Sequence, residues 1–410
     1  MSGRLTHYAA AAVLVRLADE GARVVLTLLA LQRTGSAAVG GVLVAALLVP
    51  HVVAAPLVGA LADRARRPRL VVAAAGCGFA AALAATATGL GRLPLTVLVG
   101  VLLAGGCCGP ALTGALTSQL PGLVPAQRLP RAFGLDSLTY NGAGIVGPAA
   151  GAAIAAASSP AGATYALAGS AGLGAALAAV LPVPVRAHQQ RATRRIGYLL
   201  GGTKLLVRDR VLATVTAATS IGQLGMGALP VIAVLIATQH HSAAAAGWLL
   251  TAVATGGLFG SLAWTWRPGR PERASTVVML GLVGVGLPLG AAAFSSSLPL
   301  TATFFALAGF SNGPLFGALL VTRNDHAPTN LRSQIFTLGA GAKITATAAG
   351  AALGGLLAGH TSVAVLLLLA AASPLLAGAL GRVLLPRTAT RHPMVDRTEQ
   401  GATTTTEPRG

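Results

Sequence analysis

Residues 41–85 read GVLVAALLVPHVVAAPLVGALADRARRPRLVVAAAGCGFAAALAA. A long apolar run meets Asp63-Arg64-Ala65-Arg66-Arg67-Pro68, and a second apolar run follows at once. A helix rises 1.5 Å per residue, so about 20 apolar residues cross a hydrocarbon layer ~30 Å thick. Two such runs joined by a short, arginine-rich loop predict a membrane hairpin. The loop also sets its sense, because clustered arginine is retained on the cytoplasmic side.

The same alternation runs along the whole chain. Apolar stretches predict spans at 9–31, 36–61, 69–90, 94–118, 132–157, 162–182, 209–237, 244–266, 274–294, 298–321, 333–358 and 361–385. The longest polar break, 183–208, divides them equally. The expected fold is therefore all-α and integral to the membrane, about twelve transmembrane helices in two pseudo-symmetric six-helix bundles. The first bundle occupies 1–182, a cytoplasmic linker 183–208 and the second bundle 209–385. The tail 386–410, with its run Thr403-Thr404-Thr405-Thr406, is expected to be disordered and cytoplasmic.

Composition agrees. Of 410 residues 54% are hydrophobic and 10% charged, against roughly 25% charged in a soluble domain. Such a chain cannot cover its surface with charge and must face lipid. Its 53 glycines let helices approach closely where no hydrophobic force drives them together. The net charge of +19 raises nucleic-acid binding. That class is excluded, because the arginines sit in short clusters between apolar runs, without aromatic interleaving. With the N-terminus and the loops after even-numbered spans inside, 24 of the 29 Lys and Arg lie on the cytoplasmic side. Both termini are then cytoplasmic, and the cell membrane is the expected location.

An internal repeat supports two halves. Gly109-Pro110 recurs as Gly313-Pro314, a shift of 204. Pro125, Phe133 and Gly151 recur as Pro328, Phe336 and Gly354, each shifted by 203. Gly59-Ala60-Leu61-Ala62 recurs as Gly260-Ser261-Leu262-Ala263, a shift of 201. Parallel repeats of this kind characterise one large transporter class.

At this point the residues resemble the major facilitator superfamily. Gly59-Ala60-Leu61-Ala62-Asp63-Arg64-Ala65-Arg66-Arg67 is similar to its loop signature between the second and third spans, with Arg66 where the family usually has glycine. Gly147-Pro148-Ala149-Ala150-Gly151 resembles the helix-bend element of exporters in the fifth span. The segment from Leu123-Val124-Pro125 through Gly151 resembles the drug and siderophore exporter branch. The fourth-span arginine motif has no counterpart, since no basic residue lies between Arg92 and Arg128. The resemblance implies alternating access: two bundles rock about a central site, driven by an ion or proton gradient, with no cofactor. It implies a mostly monomeric protein, and a conformational latch at Gly59, Asp63, Arg64 and Arg67. The chemistry of Asp63 suits that role. Its carboxylate can meet neighbouring arginines or the N-terminus of a helix from the other half. The equivalent second-half loop has Trp264 in place of the acid, so an asymmetric latch is expected.

Charges inside the spans mark the candidate site. Arg16, Asp19, Glu20 and Arg23 stand at i, i+3, i+4 and i+7, on one helical face near mid-span. Each charge there costs about 2.5–3.5 kcal/mol on insertion scales. The stripe must face the bundle interior or water. Its functional reading is a substrate and proton site in which Asp19 or Glu20 titrates; its structural reading is an ion-pair ladder. Lys343 in the eleventh span needs a carboxylate, for which Asp136 is the candidate. Asp136, Tyr140 and Asn141 share a face that could line a cavity. Gln223 and Asn312 fall in the seventh and tenth spans, which line the cavity in the resembling family. His51 is a weaker candidate proton carrier, and His240-His241 an outer loop. Cys77, Cys107 and Cys108 lie in apolar runs and are expected to be buried small hydrophobes, not metal ligands.

The leading expectation is a secondary active transporter, a proton-coupled exporter of small amphipathic molecules. The alternatives are a uniporter or importer of a specific metabolite, and a transport-inactive sensor or scaffold. An enzyme is disfavoured: the sequence has no HExxH, no P-loop and no Ser/His/Asp order.

Overall fold

The computed structural model describes residues 3–184, 201–240, 243–358 and 360–385. The helices are α1 (Gly3–Thr34), α2 (Ala37–Leu48), α3 (Pro50–Arg64), α4 (Pro68–Gly89), α5 (Leu95–Gly106), α6 (Leu129–Ala157) and α7 (Pro160–Ala179). After a short α8 (Gly201–Arg208) follow α9 (Arg210–Gln239), α10 (Ala243–Trp266), α11 (Ala274–Ala292), α12 (Leu298–His326), α13 (Arg332–Leu357) and α14 (Val363–Leu384). Most of the linker (185–200) and the whole tail 386–410 lie outside the described residues, as does His241.

These elements make twelve crossings, because two spans are interrupted. Span 2 is α2 and α3, broken at Val49 where Pro50 has no amide hydrogen to donate. Span 4 is α5 followed, after Pro110, by a π-helical turn over Ala111–Ala115. Nine of the described spans are long and apolar enough to cross a membrane by length and composition alone. The other three are α1, which carries the charged stripe, and α6 and α7, where glycine, serine and threonine dilute the hydropathy. The tight hairpins turn on glycine. Gly91, at φ +83°, reverses the chain between α4 and α5, and Gly35, at φ +67°, ends α1.

Packing repeats with a shift of six spans. In the first half α1 packs on α6 and α7, α4 on α7, and α2 on α5. In the second half α9 packs on α13 and α14, α11 on α14, and α10 on α12. Contacts between the halves obey the same rule. The α3–α13 seam is matched by α10–α6, and the π-turn against α13 is matched by α12 against α6. The hydrogen bonds described between the halves fall near mid-span or at the arginine-rich end, which holds Arg64–Arg69, Arg128, Arg267 and Arg332. That end of the interface is closed.

Close approach depends on glycine. A Cβ at Gly147 would come within 3.0 Å of the Gly21 amide nitrogen and the Leu17 carbonyl oxygen, and one at Gly151 within 2.7 Å of Val25. Gly147 and Gly151 thus seat α6 on α1 backbone to backbone, four residues apart, as small residues do in membrane helix pairs. Pro148 lies between them inside one continuous helix. Two expectations are corrected. Cys77 and Cys107 are exposed and Cys108 half-buried, because their helices turn that face outward. Arg323, expected in a loop, lies in the last turn of α12 and is buried, since that helix continues to His326.

Candidate functional site

The charged stripe of α1 divides in two. Arg16 turns away from Asp19 and Glu20 and pairs with Asp136 of α6, Nη1 to Oδ1 2.8 Å, with both side chains almost fully enclosed. Its guanidinium also donates to the Asp136 carbonyl oxygen at 3.1 Å, to Thr117 Oγ1 at 3.1 Å and to Thr139 Oγ1. It lies 3.5 Å over the centroid of the Tyr140 ring. The carboxylate is saturated as well, accepting from Tyr8 Oη at 2.6 Å and from Thr117 Oγ1 at 2.8 Å. A dry pair holds only when its remaining hydrogen-bonding capacity is met. Here spans 1, 4 and 5 together meet all of it but the Arg16 Nε among the described residues, and the π-turn in span 4 ends two residues before Thr117. Two sequence expectations fall with this. Asp136 is not the partner of Lys343, because Arg16 already occupies it. Nor does Asp136 line a cavity, because it is wholly buried.

The other half of the stripe faces the interface. Arg23 reaches Glu20 at 2.8 Å and Asp19 at 3.5 Å. Glu20 and Arg23 keep 27% and 34% of their side-chain exposure, whereas Asp19 is nearly covered. Arg23 is therefore shared by two acids, and one of them remains reachable. His51 lies within Coulombic range of Asp19 and Arg23. It is buried, its Nε2 has no hydrogen-bond partner among the described residues, and its ring occupies the space that Gly109 leaves by having no Cβ.

The second half contributes a wall of different character. Lys343 of α13 places Nζ 4.2 Å over the Phe316 ring of α12. Phe316 stands edge-on to Tyr140, centroids 5.1 Å apart. A single series, Arg16–Tyr140–Phe316–Lys343, thus joins the halves as two rings between two cations. Gln223 is half-buried and accepts from Thr347 Oγ1 at 3.3 Å, one turn beyond Lys343. Asn312, also half-buried, sits one turn before Phe316. Asn141 donates to Ser261 at 2.9 Å, and Ser261 lies 3.0 Å from Ser137, stitching α6 to α10.

At the arginine-rich end Asp63, in the last turn of α3, accepts from the Ser333 amide at 2.9 Å and the Gln334 amide at 3.0 Å. Those amides open α13, so a carboxylate from one half caps a helix of the other, where the helix dipole favours negative charge. Gly59 makes this possible: a Cβ there would come within 2.6 Å of the Gln334 Cα. Thr337 Oγ1 donates to the Ala55 carbonyl at 2.8 Å, and Ser118 lies 2.8 Å from Ser333. Arg64 and Arg67 are exposed on the rim. At the matching seam Trp264 is buried against Gly134 and Gly317, an apolar contact in place of the acid.

Sequence reasoning missed Tyr8, Thr117, Thr139, Phe316 and Arg323. Hydroxyls and rings inside apolar spans carry no pattern of their own, and a basic residue near a span end reads as a topology signal. An open groove of about 940 Å³ lies at the arginine-rich end, apart from Glu20 and Lys343, lined by residues including Val58, Leu61, Arg66, Arg67, Cys107 and Cys108.

Two six-helix halves related by a six-span shift, enclosing charges and closed at one end by a carboxylate on a helix terminus, define a membrane transporter, not an enzyme. The Major Facilitator Superfamily model matches residues 8–231 and 215–408, and the chain belongs to that family. It is 29% identical over 345 residues to the multidrug efflux pump Tap of Mycobacterium tuberculosis, covering 79% of this chain and 80% of that protein. It is 27% identical over 363 residues to the uncharacterised MFS-type transporter y4rN of Sinorhizobium fredii, covering 85% and 86%. Among solved structures it superposes on an outward-facing bacterial homologue of the iron transporter ferroportin with TM-score 0.74, at 16% identity over 93% of this chain and 99% of that one. It matches the human organic anion transporter MFSD10 with TM-score 0.71, at 16% identity over 94% and 99%. At such identities these likenesses show the fold.

Proposed function

We propose that this transporter exports small amphipathic molecules across the cell membrane in exchange for protons, by alternating access and as a monomer. The observation that carries the reading is the position of Glu20. It is a reachable carboxylate held by Arg23, facing an interface that Asp63 closes at the arginine-rich end. By the positive-inside rule that end is cytoplasmic, as are both termini, so the structure corresponds to the outward-facing state. Protonation of Glu20 from outside releases Arg23 and alters the charge that the second half meets when the bundles rock. Asp19, nearly covered and shared by the same arginine, tunes that step. Asp63 on α13, with Gly59 beneath it and Arg64 and Arg67 on the rim, latches the state until the exchange is complete. The relationship to Tap, named as an efflux pump, supports the direction.

The test is dye uptake into energised inverted vesicles, with and without a protonophore, for wild type, Glu20→Gln and Asp19→Asn. Uptake that collapses with the protonophore and with Glu20→Gln is expected. Uptake indifferent to both would overturn proton coupling through this group, and efflux driven by substrate gradient alone would point to a uniporter.

A further inference from the structure

The second half holds more buried positive charge than its surroundings balance. Residues 326–395 contain no Asp or Glu. Lys343 nevertheless lies mid-way along α13, half-buried, and among the described residues its ammonium makes no hydrogen bond or ion pair. Arg323 is 3% exposed, and among the described residues its Nε has no hydrogen-bond partner. Its guanidinium lies against Gly339, filling the place a Cβ would take. Gly339 and Lys343 are one turn apart on the same face of α13. The two cations are therefore stacked along one wall, close enough to repel each other.

Neither the protein's acids nor its rings resolve this. Asp136 is saturated by Arg16, Tyr8 and Thr117. Glu20 faces Lys343 from across the interface, but Asp19 and Glu20 also share Arg23, so these two acids offset Arg23 and only one of the wall's two cations. The Phe316 face offsets only part of the cost of an ammonium inside the membrane. What the wall lacks is an anion from outside the chain, and what lies beside the ammonium is aromatic: Phe316, then Tyr140 edge-on to it.

We propose that Lys343, backed by Arg323, receives the acidic group of an organic anion whose ring or hydrocarbon body lies along Phe316. Lys343 makes the contact. Arg323 is a positioning residue that raises the local potential and steers Lys343 toward the interface. The proposal names a substrate class for the export reading and rests on it for its physiological sense, but binding is measurable without any gradient.

Fluorescein and rhodamine 6G share a xanthene body and carry opposite charge. Binding of each to the purified protein in zwitterionic lipid nanodiscs, read by fluorescence anisotropy, separates the possibilities. Fluorescein should bind saturably. Lys343→Gln should weaken it roughly tenfold or more, as loss of a charge-assisted hydrogen bond does. Arg323→Gln should weaken it less, and Lys343→Arg should retain it. Rhodamine 6G should not be weakened by any of these. A second readout needs no substitution. The chain has two lysines, Lys204 and Lys343, and Lys204 is exposed on α8. Fluorescein should protect Lys343, but not Lys204, from acetic anhydride in the wild-type protein. Absence of fluorescein binding, binding unmoved by Lys343→Gln, or no protection of Lys343 overturns the site. Saturable fluorescein binding with no transport of any dye would refute export alone, and export of rhodamine 6G without fluorescein binding would refute this site alone.

Discussion

Phe133 and Phe336 occupy equivalent positions of the two sequence repeats, and they stack on one another across the interface, ring centroids 6.0 Å apart and planes 23° from parallel. The pseudo-twofold axis relating the halves therefore passes between two copies of one residue. Both rings are buried in the closed end, so they must separate when that end opens.

Truncating either ring should loosen the closed end by a similar amount. An aromatic pair contributes ~0.5–1.5 kcal/mol beyond the area it buries. Phe133→Ala and Phe336→Ala should each raise maleimide labelling of a Ser118→Cys probe, in a background where Cys77, Cys107 and Cys108 are serine. The double variant should add little to either single one. Fully additive effects would mean that the rings act separately.

Asp63→Asn should shift the population toward opening at the arginine-rich end. Hydrogen bonds to a charged acceptor contribute about 1.5–3 kcal/mol, so a shift of roughly tenfold or more is expected in the same labelling experiment. Unchanged labelling would show that the bond between Asp63 and α13 does not hold the state.

The Arg16–Asp136 pair should behave as a structural brace of the first half. Asp136→Asn leaves a buried guanidinium without its counter-ion, a loss of about 3–5 kcal/mol. Tyr8→Phe removes one hydrogen bond to the carboxylate and should cost about 1.5–3 kcal/mol. Thermal unfolding of the detergent-solubilised protein should rank wild type above Tyr8→Phe and Tyr8→Phe above Asp136→Asn. A reversed order would contradict the network.

Asp209 caps α9 outside the membrane-spanning region, accepting from the Leu212 amide at 2.8 Å, with His326 Nδ1 3.2 Å away. Burial pushes its pKa up, but His326 and the α9 amides outweigh that and hold the carboxyl below the usual range. A depressed folded value means stability present above the unfolded value near 3.9 and lost as pH falls through the folded one. Asp209→Asn, itself a good cap, should flatten the acid side of the stability profile and leave neutral pH little changed. An unaltered acid limb would assign it to other carboxylates.

The fold was readable because hydropathy and arginine placement are one-dimensional signals: both survive without knowledge of any contact. Asp63 was readable too, since its position between two spans at an arginine cluster limits what it can meet. The partners of Arg16 and Lys343 were not. Spacing put Arg16 beside Asp19 and Glu20 on α1, yet Asp136, Thr117 and Thr139 offered it an ion pair and several hydrogen bonds, and a four-residue helical pair is weak by comparison. Equivalence of the fifth and eleventh spans suggested Asp136 for Lys343, but equivalent spans need not bring their charges together, and Arg16 reaches Asp136 instead. Arg323 was hidden because a helix can run one turn past its apolar stretch.

The two matching seams are built of unlike materials. Asp63 on α13 is an electrostatic clasp, whereas Trp264 among Gly134 and Gly317 is an apolar one. The apolar seam rests on close packing of small residues, whereas the other rests on a charge at a helix terminus. Removing that charge therefore loosens the aspartate side and leaves the tryptophan side packed as the hinge. The two halves then part as a door swings, from one jamb.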